Sequence, residues 1–218
     1  MKLIIEWSYR SKKGTKTVFR SDEMPAAQAL LIAEDLDKTG RLKQIQFSDP
    51  YDSFWSLKEL KSYVKGIETE PHNITIYFDG GFDWDTKMAG LGCVIYYDQN
   101  GKSYRLRKNL AVTDLVSNNE AEYAALHLCL QELEILGAHH LPIKVLGDSK
   151  VVINHLNEEW PVIEEDLYNW ANKIEAKMSE LGFQPEYEHV SRKTNSEADR
   201  LAEQALAGVE VVAIVERT

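Results

Sequence analysis

The chain has 218 residues, 44% of them hydrophobic, so it has room for one domain of ordinary size plus a small companion and enough apolar side chains for a real core. A net charge of −10 argues at first sight against a nucleic-acid partner, whose phosphates would be repelled. The charge is uneven, however: residues 1–66 hold 12 Lys and Arg against 9 Asp and Glu, and the remainder holds 13 against 26. An acidic catalytic half behind a mildly basic front half and a plain solvated surface both fit that balance.

Cys93 and Cys129 lie far apart in apolar stretches, which suits buried free thiols rather than a secreted disulfide framework. The opening MKLIIEWSYR lacks a long apolar segment, and no run of about 18 uninterrupted apolar residues occurs. The expectation is a soluble, untargeted cytoplasmic protein with no membrane partner.

In chain order, KLIIEWSYR (2–10) and TKTVFR (15–20) flank the turn cluster SKKG and predict a hairpin. Helical spacing of Ala27, Leu30, Leu31, Glu34 and Leu36 predicts a helix between Pro25, tolerated in a first turn, and Gly40, a C-terminal stop. LKQIQF then alternates as a strand, and SFWSLKELKSYV adds a short strand and a helix. These make a small α+β domain over residues 1–66, with GIETEPHN providing a linker at 67–72.

NITIYFDGG opens a second domain over 73–208 as a strand, and LGCVIYYDQNGKSYRLRKNL reads as two strands joined at Asn100-Gly101. SNNEAEYAALHLCLQELEILG is a long amphipathic helix, followed by the short strand PIKVLGD and the helix SKVVINHLN. EEDLYNWANKIEAKMSELG, QPEYEHV and NSEADRLAEQALAG supply a helix, a strand and a final helix, leaving 209–218 as a tail. The order predicts an α/β fold: one mixed five-stranded sheet, three antiparallel strands then parallel ones, with helices on both faces.

Asp79 is expected to end a strand just before Gly80-Gly81, where a ligand can approach the backbone, and Asp148 to end the PIKVLGD strand. A turn aspartate and a helix N-cap are the plain alternatives for these two. Glu122, Leu126, Cys129, Leu133 and Leu136 follow one another at steps of four, three, four and three, which sets a carboxylate on a core-facing stripe. Its neighbour Glu120 completes a capping box with Ser117. Thr194-Asn195-Ser196-Glu197 reads as a second box, with Asp199, Ala202 and Leu206 on the inward face. An inward carboxylate costs several kcal/mol unless paired or bound to a cation, and no Lys or Arg sits on either stripe. All-oxygen ligands favour Mg²⁺ or Mn²⁺ over zinc.

YFDGG, NNEAEYAAL, VLGDSKVV and NSEADRLA, in this order over roughly residues 72–208, resemble the four motif regions of type 1 ribonuclease H. The resemblance implies that Asp79, Glu122, Asp148 and Asp199 hold two Mg²⁺ or Mn²⁺ ions and that the substrate is an RNA–DNA hybrid. It implies further that Gly80, Gly81, Asn118 and Asn119 contact that hybrid, and that Arg192, not His189, takes the place of a mobile histidine. This sequence departs from the family at GGFDWDTKMAG, where Asp83 and Asp85 add negative charge, and at the acidic EEWPVIEEDLYN, where some relatives carry a basic protrusion. A nucleic-acid-binding protein with a weak site on the same fold, or a nuclease for another nucleic acid, therefore stays open. The front domain more loosely resembles a small hybrid-binding domain, in which Lys12, Lys13 and Lys16 would touch phosphates and Trp7 or Trp55 would stack on the substrate.

Overall fold

The first hairpin forms as its alternation requires: strands β1 (Lys2–Arg10) and β2 (Lys16–Arg20) pair antiparallel in the computed structural model, which describes residues 2–11, 13–40, 42–50 and 53–217. Lys12 lies outside the described residues. A two-residue strand β3 (Met24–Pro25) leads into helix α1 (Ala26–Lys38), and Gly40 ends that helix with φ +65°. Strands β4 (Leu42–Ser48) and β5 (Phe54–Trp55) extend the sheet in the order β2-β1-β4-β5, and helix α2 (Leu57–Thr69) closes the unit. Its core is Leu3, Ile5, Ala29, Ala33, Phe47, Leu60 and Val64, with Trp7 and Trp55 packed along the border. Trp55 donates its indole N–H to Asp49 Oδ2 at 3.1 Å, so both tryptophans have roles within the unit. Lys13 and Lys16 are exposed at the hairpin tip.

The chain divides into its two units between Thr69 and Glu70. Leu57, Leu60 and Val64 keep helical spacing and Gly66 is tolerated within it, so α2 runs to Thr69 where a linker from residue 67 is expected. Strand β6 (His72–Asp83) starts almost at once.

In the second unit β6, β7 (Met88–Gln99) and β8 (Lys102–Val112) form an antiparallel meander, turned at Asn100 and Gly101 with φ +54° and +72°. Helix α3 (Asn118–Ile135), strand β9 (Pro142–Gly147) and helices α4 (Lys150–Leu156) and α5 (Glu165–Glu180) follow. Strand β10 (Gln184–His189) and helix α6 (Ser196–Leu206) complete the expected order. β6, β9 and β10 run parallel. Alternate residues of β7 face opposite layers: Cys93 and Ile95 join α3 in the main core, while Val94 meets Ala198 and Leu201 of α6. Both thiols are buried and free.

Two expectations need correction. Residues 212–217 are not a tail but a sixth strand, β11 (Val212–Arg217), antiparallel to β8, so the sheet order is β10-β9-β6-β7-β8-β11. VVAIV has strand composition, and the edge of β8 offers it a ladder of backbone partners. Asp79 does not end its strand either, because β6 pairs with β7 through Gly80 and Gly81 to Asp83. No helix among the described residues is long and apolar enough to cross a membrane.

Candidate metal centre

Three devices bring the carboxylates together. Parallel register places Tyr77 of β6 beside Leu146 of β9, and two residues further along the chain come Asp79, still within β6, and Asp148, just past the end of β9. Gly80 supplies the second: a Cβ there would collide with the backbone of Ala121 and Glu122, so its absence lets α3 lie directly on β6. The Gly80 N–H then donates to Glu122 Oε2 at 3.1 Å. The Cβ side of Gly80 thus faces helix backbone, while the residue also lines the cleft beside the carboxylates. Gly90 and Gly92 on β7 do the same for α6, where a Cβ would meet the carbonyl oxygens of Ala202 and Ala198.

The result is a group of three: one carboxylate oxygen each from Asp79, Glu122 and Asp148 lies within 4.8 Å of the others. Asp79 and Glu122 are only 8% and 6% exposed. Burial, then the charges of Asp148 and Asp199, push the Asp79 carboxyl up to about 8, and burial, Asp79 and Asp148 push Glu122 well above the usual carboxylate range. Both shifts follow from carboxylates crowded together out of water. All-oxygen donors at this spacing fit a hard divalent ion such as Mg²⁺ or Mn²⁺. The plain reading of Asp148 as a helix cap does not hold, because Ser149 occupies that position and its Oγ accepts from Val152 N–H.

Asp199 stands apart from the three. It lines the same cleft of about 370 Å³, but its Oδ1 accepts from Arg192 Nη2 at 2.6 Å and Nε at 3.1 Å. The cation missing from its own helix stripe comes from the preceding loop, so burial of an unpaired charge does not argue for metal at Asp199. Asn118 lines the cleft and its Oδ1 accepts from Phe82 N–H at 3.1 Å; Asn119 is half-buried at the start of α3. Gly81 lines the cleft as well. The added charge of Asp83 is turned into its own hairpin, accepting from Asp85 N–H at 2.9 Å and Thr86 Oγ1 at 2.8 Å.

The two capping boxes part company. At α3 Ser117 Oγ accepts from Glu120 N–H and Glu120 reaches back to Val116 N–H, one residue earlier than the usual box. At α6 no side chain caps the helix, and the expected role of Glu197 is overturned: it accepts from Tyr96 Oη at 2.8 Å and pairs with Arg105 at 3.0 Å. The strand opposite outbids the N-cap amide. The residue that sequence reasoning misses is Asn195, which is fully buried with Nδ2 3.0 Å from Asp148 Oδ1 and 2.9 Å from the Phe78 carbonyl.

Residues 77–205 match the sequence family described as Reverse transcriptase-like. Over 197 residues the chain is 43% identical to the uncharacterized protein YpeP of Bacillus subtilis (strain 168), covering 89% of this chain and 87% of that one. Among solved structures, RNase H1 from Halobacterium salinarum aligns at 26% identity and TM-score 0.53, over 62% of this chain and 98% of that chain. This chain belongs to the ribonuclease H family. Another member, LC11-RNase H1, solved in complex with an RNA/DNA hybrid, aligns at 28% identity and TM-score 0.56, over 62% of this chain and 98% of that chain. The ribonuclease H fold thus accounts for the second unit, whereas the match to YpeP is long enough to enter the first.

Proposed function

We propose that the chain is a metal-dependent endoribonuclease that hydrolyses the RNA strand of RNA–DNA hybrids. The observation that carries this reading is the convergence of Asp79, Glu122 and Asp148 within 4.8 Å, in a family with a member solved on an RNA/DNA hybrid. Two Mg²⁺ or Mn²⁺ ions bound there would supply Lewis acidity, to activate water against a phosphodiester and to stabilise the leaving 3′ oxygen. Asp79, Glu122 and Asp148 hold that charge, and Asp199 faces the same cleft from α6. Arg192, exposed at the cleft, presents a positive guanidinium to an incoming phosphate while it restrains Asp199. Asn118, with its carbonyl oxygen engaged by Phe82, keeps its amide N–H groups for a groove edge, and Asn119 and Gly81 lie beside it. Contact with a 2′-hydroxyl would select RNA in the cleaved strand. In the front unit, Lys12, Lys13 and Lys16 would add salt-sensitive phosphate contacts.

The test is a cleavage assay with Mg²⁺ or Mn²⁺ and labelled RNA–DNA hybrid beside single-stranded RNA, duplex RNA and duplex DNA. Cleavage confined to the RNA of the hybrid, leaving 5′-phosphate ends and stopped by chelator, is the expected result. Hybrid bound but uncut would point to a binding protein, and preferential cutting of another substrate to a different nuclease.

A further inference from the structure

Asn195 sits where the two aspartates and β6 meet, and every residue around it is accounted for except the reason an amide is there. Its side-chain NH₂ has two hydrogens and three acceptors: the Phe78 carbonyl at 2.9 Å, Asp148 Oδ1 at 3.0 Å and Asp79 Oδ1 at 3.5 Å. Turning the amide over would set its oxygen against three other oxygens, so the orientation is fixed by chemistry. The opposite face, Oδ1, is buried without a hydrogen-bond partner. A buried amide with its acceptor unmet is a poor choice for stability alone. It becomes intelligible if the donor face serves the two aspartates. Asn195 is also the N-cap residue of α6, yet its side chain makes no cap bond, so the amide has been diverted from the helix to the carboxylates.

Resting on the metal-dependent reading above, we infer that Asn195 is a positioning residue: its NH₂ clamps Asp79 and Asp148 side by side at the spacing a divalent ion requires. The Phe78 carbonyl takes one of the two hydrogens and leaves the other to Asp148 Oδ1 at 3.0 Å and, more weakly, to Asp79 Oδ1 at 3.5 Å, so the two aspartates share one buried donor that would be stranded if both swung away. Glu122 has its own restraint in the Gly80 N–H, so each member of the group of three is held by a donor from the protein. Outer partners of this kind set the affinity of a metal site as well as the orientation of its ligands.

The test compares Mn²⁺ binding by calorimetry in the full-length wild type and in Asn195→Ser, without nucleic acid. Serine keeps a good N-cap at the start of α6 but is too short to span both aspartates. The expected result is Mn²⁺ affinity weakened about tenfold or more, with KM for the hybrid unchanged and turnover restored by raising Mn²⁺. A folded Asn195→Ser with wild-type affinity would overturn the inference and leave Asn195 as a strut between α6 and β6. Should the variant fail to fold, NMR on the wild type decides: the Asn195 side-chain NH₂ signals should shift as Mg²⁺ is added, and signals that stay put overturn the clamp. A wild type that takes up no ion removes the metal site and Asn195's role together. One that binds Mn²⁺ but leaves hybrid uncut removes only the nuclease reading, since the affinity comparison needs no substrate.

Discussion

The starts of α3 and α6 carry nearly the same sequence pattern, a polar cap, a glutamate three residues on and a further carboxylate two residues after that, yet they fold to different ends. At α3 Glu120 closes the cap and Glu122 joins Asp79 and Asp148 in the group of three carboxylates. At α6 Glu197 leaves the cap for Tyr96 and Arg105, Asp199 is held by Arg192, and the buried position goes to Asn195. A capping box is written within one helix, but the fate of its side chains depends on the facing strand. Opposite α6 that strand presents arginines, which attract a carboxylate more strongly than one backbone amide can.

The comparison breaks most sharply at the carboxylates. Glu122→Gln should lower turnover and Mn²⁺ affinity by about 100-fold or more, beyond the range of an outer-partner change, as read by kinetics and calorimetry. Asp199→Asn should cost clearly less in Mn²⁺ affinity, because Asp199 lies outside the group of three. Equal losses would mean that the ion draws Asp199 in and Arg192 away.

The crowded carboxylates beside the start of α3 should also respond to pH, through Asp79 on β6. Its carboxyl is raised in the folded chain to about 8 from an ordinary 3.8, so between those values the folded state binds more protons than the unfolded one. Stability from this group is therefore greatest at low pH and falls as pH rises through that window. With metal chelated, the melting temperature of Asp79→Asn should exceed that of wild type at pH 8 and the gap should close towards pH 5. A gap independent of pH would contradict the raised carboxyl. The smallest effects fall on the glutamates. Glu197→Gln should destabilise by about 1–2 kcal/mol through its half-buried pair with Arg105, with Mn²⁺ affinity retained. Glu120→Gln, which preserves the box, should stay within about 0.5 kcal/mol in chemical denaturation.

Much of this was legible from the sequence alone. The element order followed from alternation and helical spacing, and Glu122 from a four-three-four-three stripe that no cap explains. Asp148 followed from its place at a strand end. What was not legible lay between distant segments. β11 needed β8 as its template, the diversion of Glu197 needed Arg105 on β8, and the pairing of Asp199 needed a loop residue seven positions earlier to fold back. Asn195 looked like one more polar residue in a cap, because its partners are 116 and 47 residues away.

The central claim is that Asp79, Glu122 and Asp148 together hold divalent metal. Its most direct test is calorimetric titration of the full chain with Mn²⁺ at pH 7, in buffers of different ionisation enthalpy. Because Asp79 and Glu122 hold protons above their ordinary range, binding should release protons, and Asp79→Asn should weaken binding and reduce that release. Binding without proton release and indifferent to Asp79→Asn, or no binding at all, would contradict the account.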